Sequence, residues 1–261
     1  MLLSILDYIF ARNFLYKFNI IILKLSLRFI GYNHHKSLKK SGELYFLKEF
    51  CKKKPKICID VGANQGIYSK FLLDNSKTKV IAFEPLSLNF TKLKKLKNKY
   101  FNRLFLYNIG LSNKKKRSKI KFNKKNLHWA NFDAEINQID YLKKNTSSEI
   151  CKLDKLDDIM KNNKNIKIKQ IDLIKIDTEG HELEVLLGSL WTIKKYKPKY
   201  IQIEYNWHHL VKNVNLYYFS TILKNYNVFK IFPNDKKLIK IDPLKPEHNY
   251  FNFSNIVFIR K

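Results

Sequence analysis

From residue 56 onward the chain alternates short apolar runs with stretches of helical spacing. "KICIDVG" is an apolar run ending in Asp-Val-Gly and reads as a buried strand. "QGIYSKFLLDN" follows with Ile67, Phe71 and Leu72 on one face, as a helix would place them. "KVIAFEP" is a second buried strand. "SLNFTKLKKLKNKY" is a second helix, with Ser87 at its N-cap and Phe90, Leu93 and Leu96 inward. "RLFLYNIGLS" gives a third strand. Farther along come a helix in "LDKLDDIMKNN", a fourth strand in "IDLIKID" and one helix across "EGHELEVLLGSLWTIKKY". "KYIQIEYN" is a fifth strand and "NLYYFSTILKNY" a fifth helix. "VFKIFP" and "NIVFIRK" close the chain as two strands, whose pairing puts one antiparallel strand at an otherwise parallel edge. This order predicts an α/β fold with a doubly wound, mostly parallel sheet.

Two segments break the rhythm. Residues 112–150 are basic and aperiodic, apart from a short alternating strand at Ser118–Phe122, and predict an excursion that serves as a lid or binding loop. The N-terminal "MLLSILDYIFARNFLYKFNIIILKLSLRFIGYN" is strongly apolar but interrupted by Asp7, Arg12, Lys17, Lys24 and Arg28. No clean run of about 18–20 apolar residues remains, so a spanning helix is not expected. No small-residue cleavage site follows a single apolar core either. Two readings stand: helices packed on the domain, or an amphipathic segment resting on a membrane surface. The division expected is residues 1–50 as a helical, amphipathic extension and 51–261 as one α/β domain. The expected location is cytoplasmic, peripheral at the inner membrane.

Composition adds little. Lys and Arg total 51 against 22 Asp and Glu, a formal charge of +29. Nearly all of that is Lys, alongside much Asn and Ile, which is what A/T-rich coding produces. A reader of bases or phosphates would carry more Arg, whose planar fork binds them bidentately, so no specific nucleic-acid partner is expected. Apolar residues at 45% and aromatic residues at 14% argue for a packed core. Cys51, Cys58 and Cys151 are widely spaced, which fits a reducing compartment and neither a disulfide framework nor a zinc site.

In open α/β sheets ligands bind beyond the carboxyl ends of the strands. The first strand there gives "DVGANQG", with Asp60, Gly62, Asn64 and Gly66. The glycines permit a sharp turn and close backbone approach to a ligand. The second strand ends at Glu84, about 20 residues on, where a carboxylate can accept hydrogen bonds from ribose hydroxyls. The pattern is not the G-x-G-x-x-G of a dinucleotide site. Asp60 at the mouth of the loop would repel a pyrophosphate but suits the ammonium of an amino-acid moiety, favouring S-adenosylmethionine over NAD.

"CIDVGANQGIYSKFLL", "VIAFEPLSLNFTKLKKL", "NIGLS", "LDKLDDI", "IDLIKIDTEGHELEVLLGS" and "YIQIEYN" resemble, in order and spacing, the FkbM family of S-adenosylmethionine-dependent methyltransferases. The resemblance covers residues 56–206, and "SGELYFLKEF" is similar to the family's lead-in helix. It implies a class I, Rossmann-like methyltransferase domain with seven strands and an antiparallel last pair. It also implies O-methylation, in many relatives of a sugar or polyketide hydroxyl. Carried onto this chain, it assigns Asp60, Gly62, Asn64 and Gly66 to the cofactor loop, Glu84 to the ribose and Asn108 to the adenine side. Asp177 to Glu182 become the second signature, beside the reactive methyl.

That signature also has its own logic. Methyl transfer from a sulfonium to an oxygen is in-line, so positioning and a base for the hydroxyl proton are what the protein supplies. Asp177 and Glu179 lead the candidates, His181 has a suitable pKa, and Glu182 shares the role with the helix start. Glu184 reads as helix chemistry alone. Asp177, Glu179 and Glu204, with His208 or His209, carry metal-binding atoms, but their spacing is not diagnostic and no metal is assigned. His128, Trp129, Asn131 and Phe132 form either an aromatic platform for a sugar or a small satellite core. Tyr205, Asn206 and Trp207 are similar candidates. The expected acceptor is a sugar hydroxyl of a surface polysaccharide or lipid-linked glycan. A lipid or polyketide hydroxyl is the alternative, and an RNA acceptor a more distant one.

Overall fold

The computed structural model describes residues 2–163, 166–233, 235 and 237–261. Helices α1 (Leu2–Phe10) and α2 (Tyr16–Phe29) come first. They do not pack on the domain: between residues 3 and 26 no side chain is buried, and Phe14 is 83% exposed. The reason is in their surfaces. α1 is apolar nearly all round and has no face matched to a partner, while α2 is fastened only at its end. There Leu27 and Tyr32 are buried, Lys230 Nζ donates to Ile30 O at 2.7 Å, and the same ammonium lies 3.8 Å from the Tyr32 ring centre.

α3 (Glu43–Lys52) buries Phe46, Leu47, Phe50 and Cys51 on one face of the main sheet. Then follow β1 (Ile57–Val61), α4 (Ile67–Asn75), β2 (Lys79–Phe83), α5 (Ser87–Lys95), β3 (Leu104–Tyr107), β4 (Gly110–Leu111), β5 (Lys116–Asn123), β6 (Asn126–Asn131) and β7 (Ser147–Asp154). The chain continues with α6 (Leu156–Lys161), β8 (Leu173–Ile176), α7 (Glu182–Leu187), α8 (Leu190–Tyr196), β9 (Tyr200–Tyr205), α9 (His208–Val211), α10 (Leu216–Ile222), β10 (Tyr226–Ile231), β11 (Leu238–Lys240) and β12 (Ser254–Arg260).

The main sheet runs β11-β10-β12-β9-β8-β1-β2-β3. Strands β3, β2, β1, β8 and β9 are parallel, and β12 inserts antiparallel between β9 and β10. The seven expected strands are all present. An eighth, β11, adds three residues antiparallel to β10. Alternation divides the sheet into two cores: Ile57, Ile59, Val61, Ile81 and Phe83 on one side, Cys58, Val80, Ala82 and Val257 on the other.

Local departures from the sequence expectation have physical causes. α4 turns Tyr68, Ser69, Leu72 and Leu73 inward and leaves Ile67 exposed. α5 is capped at Leu86, and the Ser87 amide is taken by Glu149 Oε1 at 2.7 Å rather than the Ser87 hydroxyl capping the helix. The helix after the fourth strand breaks at Gly188, where an added Cβ would lie 2.0 Å from Ser112 O. Asp157 then caps the second piece, accepting from Trp191 N at 3.0 Å and Thr192 N at 2.8 Å.

The largest departure is the excursion. Residues 110–154 form a second sheet, β4-β7-β5-β6, with its own small core of Leu86, Ile120, Phe122 and Cys151. The expected third strand is therefore two: β3 stays in the main sheet while β4 pairs with β7. All three cysteines are buried and free.

Candidate active site

Glycine spacing explains how the loop after β1 is built. Gly62 has φ +76°, and a Cβ there would lie 1.9 Å from Asp177 O. No other residue lets the ends of β1 and β8 approach so closely. Gly66 also has a positive φ, +85°, and a Cβ there would press on Leu93 of α5 and on Leu96 just past its end. Asn64 takes φ +51° without being glycine. Its amide donates to Glu84 Oε2 at 2.8 Å, and its side chain meets His128 Nδ1 at 3.1 Å.

Glu84 is 4% exposed at the end of β2. Its other oxygen accepts from Leu86 N at 2.9 Å. A carboxylate has about four acceptor positions, so beyond these two amides and the Asn89 side chain, capacity remains for a ligand. Burial raises its pKa to about 7, with the backbone bonds pulling the other way. Asn108, exposed past β3, donates to Glu84 O at 2.9 Å and Pro85 O at 3.1 Å, holding the loop that carries Glu84.

Asp60, Lys175 and Gln202 stand side by side across β1, β8 and β9, a polar row through a buried sheet. Ser69 donates to Asp60 Oδ2 at 2.6 Å. Asp60 Oδ1 is buried without a hydrogen-bond partner, 3.9 Å from Lys175 Nζ. Burial raises the Asp60 pKa, and Lys175 and Ser69 oppose it. Tyr68 OH and Glu43 Oε1 complete the row through Gln202, each at 2.7 Å. Lys175 was missed in sequence; a lysine inside the apolar "LIKI" is the signal that marks it.

Two residues farther along each strand, on the same face, come Asp177 and Glu204. Asp177 Oδ2 accepts from Lys175 Nζ at 2.9 Å. Glu179, with φ +54°, joins them: one oxygen from each of Asp177, Glu179 and Glu204 lies within 4.8 Å of the others. Glu179 and Glu204 both titrate well above the ordinary carboxylate range, first through burial and then through mutual repulsion with Asp177.

Glu182 is fully buried and occupied by its own turn. It accepts from Thr178 N at 2.7 Å, Thr178 Oγ1 at 3.0 Å and Gly180 N at 3.0 Å, and His209 Nε2 lies 3.2 Å away. Burial alone would raise its pKa; His209 and these amides bring it down to about 2. It therefore holds the 178–180 turn in shape. His181 belongs to a different group, its ring between Ser112 Oγ at 3.0 Å and Asp133 Oδ2 at 3.1 Å. Lys212 Nζ bridges Asp133 and Glu184 there, at 2.9 and 2.6 Å. Of the expected catalytic residues the structure brings Asp177 and Glu179 together with Glu204, while His181 lies against Ser112 and Asp133 and Glu182 is bonded within its own turn.

The second sheet reaches this site. Tyr141 Oη shares a hydrogen bond with His208 Nε2 and accepts from Trp207 Nε1 at 3.1 Å. Trp129 packs edge-on against Tyr141 at 4.8 Å. His128 and Trp207 are exposed, whereas Asn131 is buried against Asn137 and Phe132 lies against His181. The proposed platform thus divides, with Asn131 and Phe132 in the satellite core. Tyr205 and Asn206 are also buried, the first bonded to Asn249 Oδ1 and the second to His208 N.

The residues fit S-adenosylmethionine. Glu84 has acceptor capacity to spare, and beside the glycine turn the buried Asp60 Oδ1 and Asn64 Oδ1 lack partners.

Among solved structures, a precorrin-6y C5,15-methyltransferase from Geobacter metallireducens is similar at 10% identity, covering 88% of this chain and 94% of that one, with TM-score 0.44. M. capricolum TrmK, solved with S-adenosyl-homocysteine, is similar at 14% identity over 83% and 68% of the two chains, with TM-score 0.39. No curated protein matches the chain. The methyltransferase FkbM domain model matches residues 60–227, which spans both the glycine loop and the Asp177 signature. The chain belongs to the FkbM methyltransferase family.

Proposed function

We propose that this methyltransferase acts on a hydroxyl of a sugar, in a surface polysaccharide or a lipid-linked glycan. Its cofactor is S-adenosylmethionine, which supplies an electrophilic methyl on a sulfonium. The observation that carries the oxygen-acceptor reading is the convergence of Asp177, Glu179 and Glu204 beside the glycine loop. A hydroxyl must lose its proton as it is methylated, and these carboxylates are placed to take it. Asp177 is the acceptor-side base in this reading, since it is the most exposed of the three and stays tied to Lys175. Lys175 orients it, Glu84 and the loop of Gly62 to Gly66 hold the cofactor, and Glu182 fixes the turn. The glycan itself rests on the family resemblance, not on a contact.

The test is enzymatic. Purified protein, labelled S-adenosylmethionine and extracts of cell-envelope glycan should yield a glycan heavier by one CH₂, about 14 Da. Label that appears only in RNA or in free lipid would refute the sugar assignment.

The N-terminal helices favour a lipid-linked acceptor over a free one. Lys17, Lys24 and Arg28 fall on one stripe of α2, and Phe18, Ile22, Leu25 and Phe29 on the next, all exposed. Basic and apolar stripes side by side suit an anionic bilayer surface. None of the described helices is long and apolar enough to cross a membrane. The protein is expected to float with vesicles containing about 30% phosphatidylglycerol and to stay behind with neutral ones. Lys17→Glu with Lys24→Glu should abolish flotation; unchanged flotation, or chain dimers in place of vesicle binding, would sink the idea.

A further inference from the structure

We propose that Asp177, Glu179 and Glu204 form a binding site for a hard divalent cation of the magnesium and manganese class. The site itself stands on geometry; its use in catalysis rests on the methyl-transfer reading above.

Three separate pieces of backbone deliver the ligands. Asp177 follows β8, Glu204 is the penultimate residue of β9, and Glu179 is carried by a turn with φ +54°. A non-glycine residue in that conformation costs about 1–2 kcal/mol, so something must hold it. Glu182 does, through its bonds to Thr178 N and Gly180 N. The turn is thus built so that three carboxylates face one point, each giving an oxygen within 4.8 Å of the others. Ion-to-oxygen distances of about 2.1 Å for magnesium and about 2.3–2.6 Å for calcium put two oxygens on one ion at most about 4.2–5.2 Å apart, and closer when they are not opposite each other, so oxygens gathered within 4.8 Å can share an ion.

A second observation is independent of the acids. His208 is fully buried, and its Nδ1 has no hydrogen-bond partner while lying 3.6 Å from Glu179 Oε2. Its Nε2 is taken by Tyr141. With the proton on Nε2, Nδ1 turns a bare lone pair toward Glu179, at the edge of the carboxylate group. Glu204 Oε2 is likewise buried and unpartnered. A lone pair and a carboxylate oxygen left bare against two further carboxylates are what a cation between them would satisfy.

Charge distinguishes this group from its neighbour. Asp133, His181 and Glu184 also converge, but Lys212 Nζ sits at 2.9 and 2.6 Å from the two carboxylates and fills the place of an ion. In the Asp177 group Lys175 serves only Asp177 and Asp60, and Glu204 pairs with no Lys or Arg among the described residues. Carboxylate oxygens select hard ions over thiophilic ones.

The experiment is direct titration of chelator-stripped, full-length protein with manganese, magnesium and calcium chlorides. Manganese is followed by electron paramagnetic resonance and the others by calorimetry. One manganese per chain is expected, displaced by magnesium. Glu204→Gln and Glu179→Gln should each weaken it at least about tenfold, and Glu184→Gln should not. S-adenosyl-homocysteine binding by each variant checks that it is folded, and Glu179→Gln, at a side chain 17% exposed, guards against collapse of the more buried Glu204 variant. No saturable binding of any of the three ions up to about 5 mM would overturn the proposal. So would binding lost on Glu184→Gln but kept in the other two. Manganese binding without S-adenosyl-homocysteine binding would leave the cation site standing and refute the methyl-transfer site; the reverse would do the opposite.

Discussion

Asp177→Asn is expected to lower kcat by about 10²–10³-fold while leaving S-adenosylmethionine affinity within threefold of the parent. The asymmetry follows from position. The cofactor loop touches Asp177 through its backbone carbonyl, against Gly62, and the substitution does not alter that contact. The side chain has a separate task. It accepts from Lys175 Nζ while staying 35% exposed, as a base for the acceptor proton would need to be. An amide oxygen can still accept from Lys175 Nζ, and Asp60 remains 3.9 Å from that ammonium, so the fold should lose only about 1 kcal/mol. Single-turnover kinetics with calorimetry of cofactor binding read both quantities. Unchanged turnover would remove Asp177 from the chemistry, and a parallel loss of cofactor affinity would make it a loop residue instead.

Glu84→Gln is expected to weaken S-adenosylmethionine about 30- to 1000-fold, the effect of spoiling two charge-assisted hydrogen bonds of about 1.5–3 kcal/mol each in part. The parent should also show a pH dependence that the variant lacks. Burial lifts the Glu84 pKa from 4.5 to about 7. Only the ionised form accepts from both ribose hydroxyls, so affinity should rise as pH climbs from 6 to 8 and level off above. Folding stability should move the other way. Between 4.5 and 7 the folded protein holds a proton that the unfolded chain has released, so stability from this group falls as pH rises through that window. A flat cofactor affinity from pH 6 to 8 in the parent would refute the ribose assignment.

How much of this was readable in the sequence depends on where each signal is stored. The parallel strands β1, β2, β8 and β9 are buried on both faces and appear as unbroken apolar runs, so their order and the loops at their ends were legible. Strand β7 shows the opposite case. "SSEICKLD" buries only Cys151 and Leu153, while Ser148, Ile150 and Lys152 are exposed, so a half-wet strand carries no unbroken apolar run. The surroundings of His181 are hidden for another reason. Its partners Ser112 and Asp133 lie 69 and 48 residues away, and no local pattern announces them. Glu182 was placed correctly at a helix start, yet its hold on the 178–180 turn needed the positive φ of Glu179 to be seen. Gly188 interrupts a helical spacing that runs through it, and only the carbonyl of Ser112 shows why the helix must stop.

The contact between Gly62 and the Asp177 carbonyl has a consequence for how this sequence can change. The two signature stretches, more than a hundred positions apart, meet with no room for a single carbon atom. Neither can drift alone: a side chain at 62 requires the β8 end to retreat, and that retreat carries the acceptor carboxylate away from the cofactor. Laboratory evolution toward new acceptors should therefore leave this junction untouched. Its gains should collect instead in the second sheet and at Trp207, where exposed side chains can be exchanged without moving either strand end.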